Sequence, residues 1–310
     1  MALVLGTPAG VYYSETAGAF DHVLDERVTR LRQFSERLLA ATVAGVYEST
    51  DGRHWEQLTA TDGTVHSVQA LDTGRLIAGT NPARILASDD GTDWAVAADL
   101  DHPDAERWAD RSFRDGASVR SLAVDDHAGR LLAGIEPGGV LVSADGGRSW
   151  DRRSRGLHDD VHHLLVAGAD EYVASTGNGL YRSTDGADTW LRLDTDFREF
   201  WDNYHREATI HEGTLVSAAR SWGPEQPDAV LLEHDGSGEN GAARRITPPG
   251  APAEFPLSFA SDGDRLLAGT MRHVDDFEPM APARVAVRNP DGEWSTLCET
   301  PAAVKSLVTL

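Results

Sequence analysis

The sequence predicts an all-β protein, a seven-bladed β-propeller with four-stranded blades that spans residues 1–310 as a single domain. Three observations predict it: a turn motif that recurs along the chain, strand phrases that recur ahead of each turn, and two ends that complement each other. The turn reads STDGRHW from Ser49, SDDGTDW from Ser88, SADGGRSW from Ser143 and STDGADTW from Ser183, with starts 39, 55 and 40 residues apart. Weaker copies begin at Ser14, His234 and Asn289. In the full copies the aspartates (Asp51, Asp90, Asp145, Asp185) are expected to accept backbone N–H groups and the glycines to take the positive-φ position. The tryptophans (Trp55, Trp94, Trp150, Trp190) are expected to pack each hairpin onto its blade.

The strand phrases fill in the rest of the unit. One is an apolar run ending near Gly-Thr: ALVLGT from Ala2, RLIAGT from Arg75, RLLAGI from Arg130, EYVAST from Glu171 and RLLAGT from Arg265. A short run into the turn follows, such as GVYEST from Gly45 or GLYRST from Gly179. Upstream lies a third strand of the form V-x-S-L: VTRL from Val28, VHSV from Val65, VRSL from Val119, VHHL from Val161 and VKSL from Val304. Alternation within these runs, bounded by Gly, Asp and Pro, marks half-buried strands. Four short strands in a unit of about 44 residues, repeated seven times, fit a propeller and fit a pair of β-sandwiches poorly. The chain finishes on an inner-type strand and begins on the strand that follows it in every unit, so pairing the two closes the ring without an open edge.

The four full turns resemble the Asp-box, or BNR, motif S-x-D-x-G-x-T-W of sialidase-like, sortilin-like and photosystem II assembly factor-like propellers. The resemblance implies the same fold and leaves activity open, because turn chemistry accounts for the residues.

Fifty acidic side chains against 28 basic ones give a net charge of −22, which excludes general binding to nucleic acid or anionic membrane. Lys305 is the only lysine. An acidic, arginine-rich surface resembles proteins of salt-loving microbes, where salt screens self-repulsion. The single cysteine, Cys298, excludes an internal disulfide, fits a reducing compartment and is expected to be a small packed residue on an outer strand. The N-terminus lacks a basic, then apolar, leader and no run of about 18 apolar residues occurs, so a cytoplasmic location is expected.

In a propeller the connections from fourth to first strand and from second to third strand share one face. On that face four connections are expected to be long: residues 99–118, 194–207, 219–228 and 271–282. They carry Trp108, Arg111 and Arg114; Trp201, Tyr204, His205 and Arg206; Arg220 and Trp222; and Arg272, His273, Asp275 and Asp276. Such aromatic, Arg and His side chains anchor interfaces, unless the loops merely pack on one another as a lid. A second candidate is the channel mouth. The second position of the V-x-S-L strand is Thr29, His66, Arg120, His162 and Lys305, a set that forms an anion-attracting ring if it faces the axis. The alternative is pairing with acids such as Asp62, Asp115, Asp159 or Asp160.

The Asp-box resemblance makes a glycan-active hydrolase or lyase, with its active site at the central funnel, the enzyme to weigh. It implies an arginine triad, a Tyr nucleophile with a Glu partner, an Asp acid/base and an early F/Y-R-I-P strand. The last is missing. Arg120, Arg220 and Arg272 would grip a carboxylate, while Tyr204, His205, Glu207 and Asp276 would move protons. No cofactor is expected; a divalent metal is the alternative, with His158, His162 and His205 as ligands. No nucleophile elbow, Walker loop, dinucleotide fingerprint or H-E-x-x-H motif occurs. The leading expectation is a non-catalytic binding or assembly module, monomeric, that holds a partner protein or a small anionic or carbohydrate ligand on the long-loop face.

Overall fold

The computed structural model describes residues 1–100, 116–194, 202–221, 229–234, 243–250, 254–272 and 281–310. Within them 28 strands, from β1 (Leu3–Thr7) to β28 (Ser306–Thr309), form seven four-stranded antiparallel sheets. Six blades are built from consecutive strands and begin with β4 (Val28–Phe34), β8 (Thr64–Ala70), β12 (Ser118–Asp125), β16 (Val161–Gly168), β20 (Asp202–His211) and β24 (Glu254–Asp262). The remaining blade has the order β28, β1, β2 (Gly10–Ser14), β3 (Asp21–Leu24), with Leu5 opposite Leu307. Each blade's first strand packs against the first strand of the next, and β28 joins β24 to β4, so a seven-bladed propeller closes on itself. Ala2 and Leu310 exchange both backbone hydrogen bonds at the seam, at 3.1 and 3.0 Å.

The recurring phrases turn out to be contacts between blades. A Cβ on Gly79 would come within 2.5 Å of Val119 Cγ1, one on Gly134 within 2.7 Å of Val161 Cγ1, and one on Gly269 within 2.4 Å of Val304 Cγ1. The glycine of one blade therefore makes the space that the V-x-S-L valine of the next blade fills. The serine of that motif ties blades by hydrogen bonds. Ser67 Oγ donates to the Val119 carbonyl at 3.1 Å, Ser306 Oγ donates to the Leu31 carbonyl at 3.3 Å, and Ser121 Oγ accepts from Leu164 N at 3.0 Å.

The turn aspartates collect backbone N–H groups: Asp51 Oδ1 from Arg53 and His54 at 2.8 Å, Asp90 Oδ1 from Thr92 and Asp93 at 2.8 and 2.9 Å. The tryptophans differ from expectation. Only Trp190 is buried, and its Nε1 donates to the Arg153 carbonyl of the preceding blade at 3.0 Å. Trp55, Trp94 and Trp150 are half-buried and donate to the carbonyls of Gly52, Gly91 and Gly147 in their own turns. Each also packs into an apolar cluster shared with the blade before it, such as Val4, Val11 and Val28 beneath Trp55. The turn thus seals a seam between blades.

Candidate functional site

Six of the inner strands carry a bulge at the same register, falling between Val28 and Arg30, Val65 and Ser67, Val119 and Ser121, Val161 and His163, His205 and Glu207, and Pro256 and Ser258. In β28 the equivalent residue precedes the ladder, and Lys305 N donates to the Gly6 carbonyl at 2.8 Å. A bulge re-aims one side chain out of the sheet's alternation. Here the re-aimed residues are Thr29, His66, Arg120, His162, Arg206, Leu257 and Lys305. Arg206 and Leu257 were hidden in the sequence because His205 and Pro256 stand where the other blades have valine. The signal that would have found Leu257 is PLSF from Pro256, a V-x-S-L strand with proline first.

Between the second, third and fourth blades three of these residues, Thr29, His66 and Arg120, wall a cavity of about 340 Å³, with Arg27, Asn81 and Glu136 among its other liners. Two of the liners owe their place to turn length. Pairing of Gly6 with Val11, Ala41 with Val46 and Ser175 with Leu180 leaves turns one residue shorter than those implied by Gly79 with Ile85 and Gly134 with Val140. In the short turns a threonine closes the loop, as Thr42 Oγ1 does by donating to the Gly45 carbonyl at 2.9 Å. The longer turns add Asn81 and Glu136 at the cavity. Asn81 Nδ2 donates to Ser118 Oγ at 2.7 Å, and Glu136 pairs with Arg120 Nε. Arg120 Nη1 lies 3.1 Å from His66 Nδ1.

Cations dominate the field at this mouth. Burial, then Arg206, Arg120 and Arg27, push Lys305 down to about 7. Burial, then Arg120, Arg206 and Arg27, push His66 down to about 3, so it is neutral. Burial lowers Arg120 as well, with Glu136 acting against it. One layer deeper, Arg30 and Glu207 form a buried ion pair and Phe259 N donates to Glu207 Oε1 at 3.4 Å.

The residues expected to move protons are arranged otherwise than anticipated. Tyr204, His205, Arg206 and Glu207 belong to β20, not to a loop, and Arg220 and Arg272 lie in strands β21 (Thr214–Ser221) and β25 (Arg265–Arg272). His205 is fully buried with Nε2 3.2 Å from Asp194 Oδ2, while Arg192 Nε holds Asp194 Oδ1 at 2.7 Å. Glu207 is committed to Arg30 and the backbone. Arg272 lies 3.7 Å from Glu254, whose oxygens also take Arg284 at 2.8 Å, so it serves that blade and not the triad. Tyr204 stacks obliquely on His162, centroids 4.7 Å apart, and lies near Arg120 and Arg220. Arg120 pairs with Glu136, and of the acids foreseen from sequence Asp160 stands 3.3 Å from His162 Nε2. His158 accepts from Asp160 N at 3.3 Å, and among the described residues neither it nor His205 belongs to the group of potential metal ligands around His162. Cys298 is half-buried on β27 (Trp294–Thr300), and burial pushes its thiol up to about 11. Trp108, Arg111, Arg114, Asp115, Trp201, Trp222, His273, Asp275 and Asp276 lie outside the described residues.

No protein-family description and no curated protein matches the sequence. Solved structures do match its fold. An ancestral GH74 enzyme superposes with a TM-score of 0.63 at 16% identity over 97% of this chain, which spans 40% of that enzyme's length. YCF48 bound to D1 peptide gives 0.62 at 15% identity, over 96% of this chain and 84% of that one. The WD40 propeller domain of Doa1 gives 0.64 at 12% identity, over 91% and 86%. At these identities the similarity is one of fold.

Proposed function

We propose that this protein is a non-catalytic binding module of the Asp-box propeller type, which holds a carboxylate of a partner protein's extended segment at the cation-lined channel mouth. The observation that carries this reading is that Arg27 and Arg120 line one cavity while Arg206 and Lys305 lie close enough to share their field, in a protein of net charge −22. Three of these cations, Arg120, Arg206 and Lys305, sit where the inner-strand register aims them. The YCF48 match, solved with a peptide bound, supports a peptide as the occupant. Against a glycan-active site stands the commitment of Glu207 to Arg30 and of His205 to Asp194, which holds both groups in structural pairs and away from proton transfer. The acidic, lysine-poor coat supports a salt-rich cytoplasm as the setting.

A charge-assisted hydrogen bond to the carboxylate contributes ~1.5–3 kcal/mol, so losing one weakens binding by about ten- to a hundredfold. The test is fluorescence anisotropy with a panel of peptides carrying a free or an amidated C-terminus. Free acids are expected to bind at least about tenfold tighter, and Arg27→Ala with Lys305→Met to abolish the difference. Equal binding of acid and amide by the unmodified protein would overturn the reading.

A further inference from the structure

We infer that Glu136, Asp160 and His162 form a binding site for a divalent transition cation of the zinc type, on the wall of the channel beside the cation-lined cavity. Their donor atoms lie within 4.8 Å of one another, with His162 Nε2 3.3 Å from Asp160 Oδ1 and 4.0 Å from Glu136 Oε1. The three come from separate places in the chain: the end of β13 (Arg130–Glu136), the connection before β16, and the bulge in β16.

The hydrogen bonding around the cluster points to a cation. His162 is only 3% exposed, and its Nδ1 lies 2.8 Å from the His205 carbonyl, which can only accept. Nδ1 therefore carries a proton, and in the neutral ring Nε2 presents its lone pair to two carboxylates. Among the described residues Asp160 Oδ1 is buried without a well-aligned hydrogen bond, and His162 Nε2 stands 3.3 Å from it. A metal ion between them satisfies both atoms.

Outer contacts suit the same role. A ligating histidine ordinarily gives its other N–H to a carbonyl, and a ligating carboxylate is itself held by a donor. His205 O and Arg120 Nε supply these two contacts. Ligands ~2.0–2.1 Å from a tetrahedral zinc are ~3.3–3.4 Å apart, so Asp160 and His162 already sit at that spacing, and Glu136, 4.0 Å from His162 Nε2, has to move closer. One nitrogen and two carboxylate oxygens suit a borderline first-row cation better than calcium, which takes six to eight oxygens. Two carboxylates, one of them shared with Arg120, offset the charge of the ion. Three protein ligands leave a fourth position for water.

The test uses full-length, untagged protein stripped with a chelator and titrated with zinc chloride by calorimetry, with cobalt(II) absorption as the spectroscopic readout. One equivalent is expected to bind, to raise the melting temperature through linkage, and to give a tetrahedral cobalt spectrum. Asp160→Asn and Glu136→Gln keep shape and remove charge, and each is expected to weaken zinc binding at least about tenfold while the metal-free melting curve stays cooperative. Absence of binding, or undiminished binding in both variants, would overturn the site. Neither outcome touches the carboxylate reading, whose peptides are assayed without metal.

Discussion

Lys305 provides the sharpest test of the channel mouth, through the pH dependence of binding. Its ammonium is held among Arg206, Arg120 and Arg27, with Met271 Sδ 4.0 Å away, and burial with these charges brings it from 10.5 down to about 7. A fall of that size corresponds to several kcal/mol, on the order of 5, against the charged form. An anion in the cavity offsets this cost and draws a proton onto Lys305. Binding therefore strengthens as pH falls toward about 7, and above that value affinity drops by up to about tenfold per pH unit until the complex itself deprotonates. His66, neutral throughout because burial and the arginines push it to about 3, adds nothing in this window. Stability moves oppositely: between about 7 and 10.5 the unfolded chain binds more protons at this site than the native one, so native stability rises with pH across that window. Calorimetry of a carboxylate-bearing peptide in two buffers of different ionisation heat is expected to show proton uptake of up to one per site above pH ~7. Lys305→Met is expected to remove the uptake and to raise stability at neutral pH by a few kcal/mol. Affinity that stays flat from about pH 6 to about pH 9 would refute the argument that an ammonium completes the site.

Three further expectations concern the frame that aims these residues. Gly269→Ala places a Cβ 2.4 Å from Val304 Cγ1 and is expected to cost about 1–3 kcal/mol in denaturant unfolding, with Val304→Ala restoring part of the loss in the double variant. Trp190→Ala, at a buried seam, is expected to cost ~3–5 kcal/mol and Trp94→Ala, half-buried, markedly less; equal losses would mean that burial does not rank the turns. Deleting residues 303–310 strips Val304, Leu307 and Val308 from the core at ~1.5–3 kcal/mol each and bares the edge of β1, a loss comparable to a whole domain's net stability. Cooperative melting is expected to disappear, and a wild-type melting curve would refute ring closure.

The repeats carried the architecture because each repeated residue answers a contact that recurs in every blade. Val119, Ser121 and Gly134 are readable as a pattern for the same reason that they pack: one geometry is copied around an axis. The site was legible only where it rode on that pattern. Thr29, His66, Arg120, His162 and Lys305 were found because a valine precedes and a serine or its equivalent follows them. Arg206 was instead read as part of a loop, since His205 replaces the valine to meet Asp194. Glu136 and Asn81 were missed because a one-residue difference in turn length has no compositional mark, yet it decides whether a side chain reaches the cavity.

That division explains why opposite charges meet at the mouth. Arg120, Arg206 and Lys305 sit at the bulge position, where repetition fixes their direction, whereas Glu136 and Asp160 sit at a strand end and a connection that vary from blade to blade. The ring can thus hold arginine at constant geometry while individual connections tune it, Glu136 by neutralising Arg120 and, together with Asp160, by facing His162. Replacing Glu136 with glutamine separates the two roles. Loss of its charge is expected to tighten carboxylate binding by freeing Arg120 and to weaken zinc binding by removing a ligand, two opposite changes from one atom pair. Parallel changes in both affinities would mean that Glu136 acts on the shape of the cavity and not on its charge.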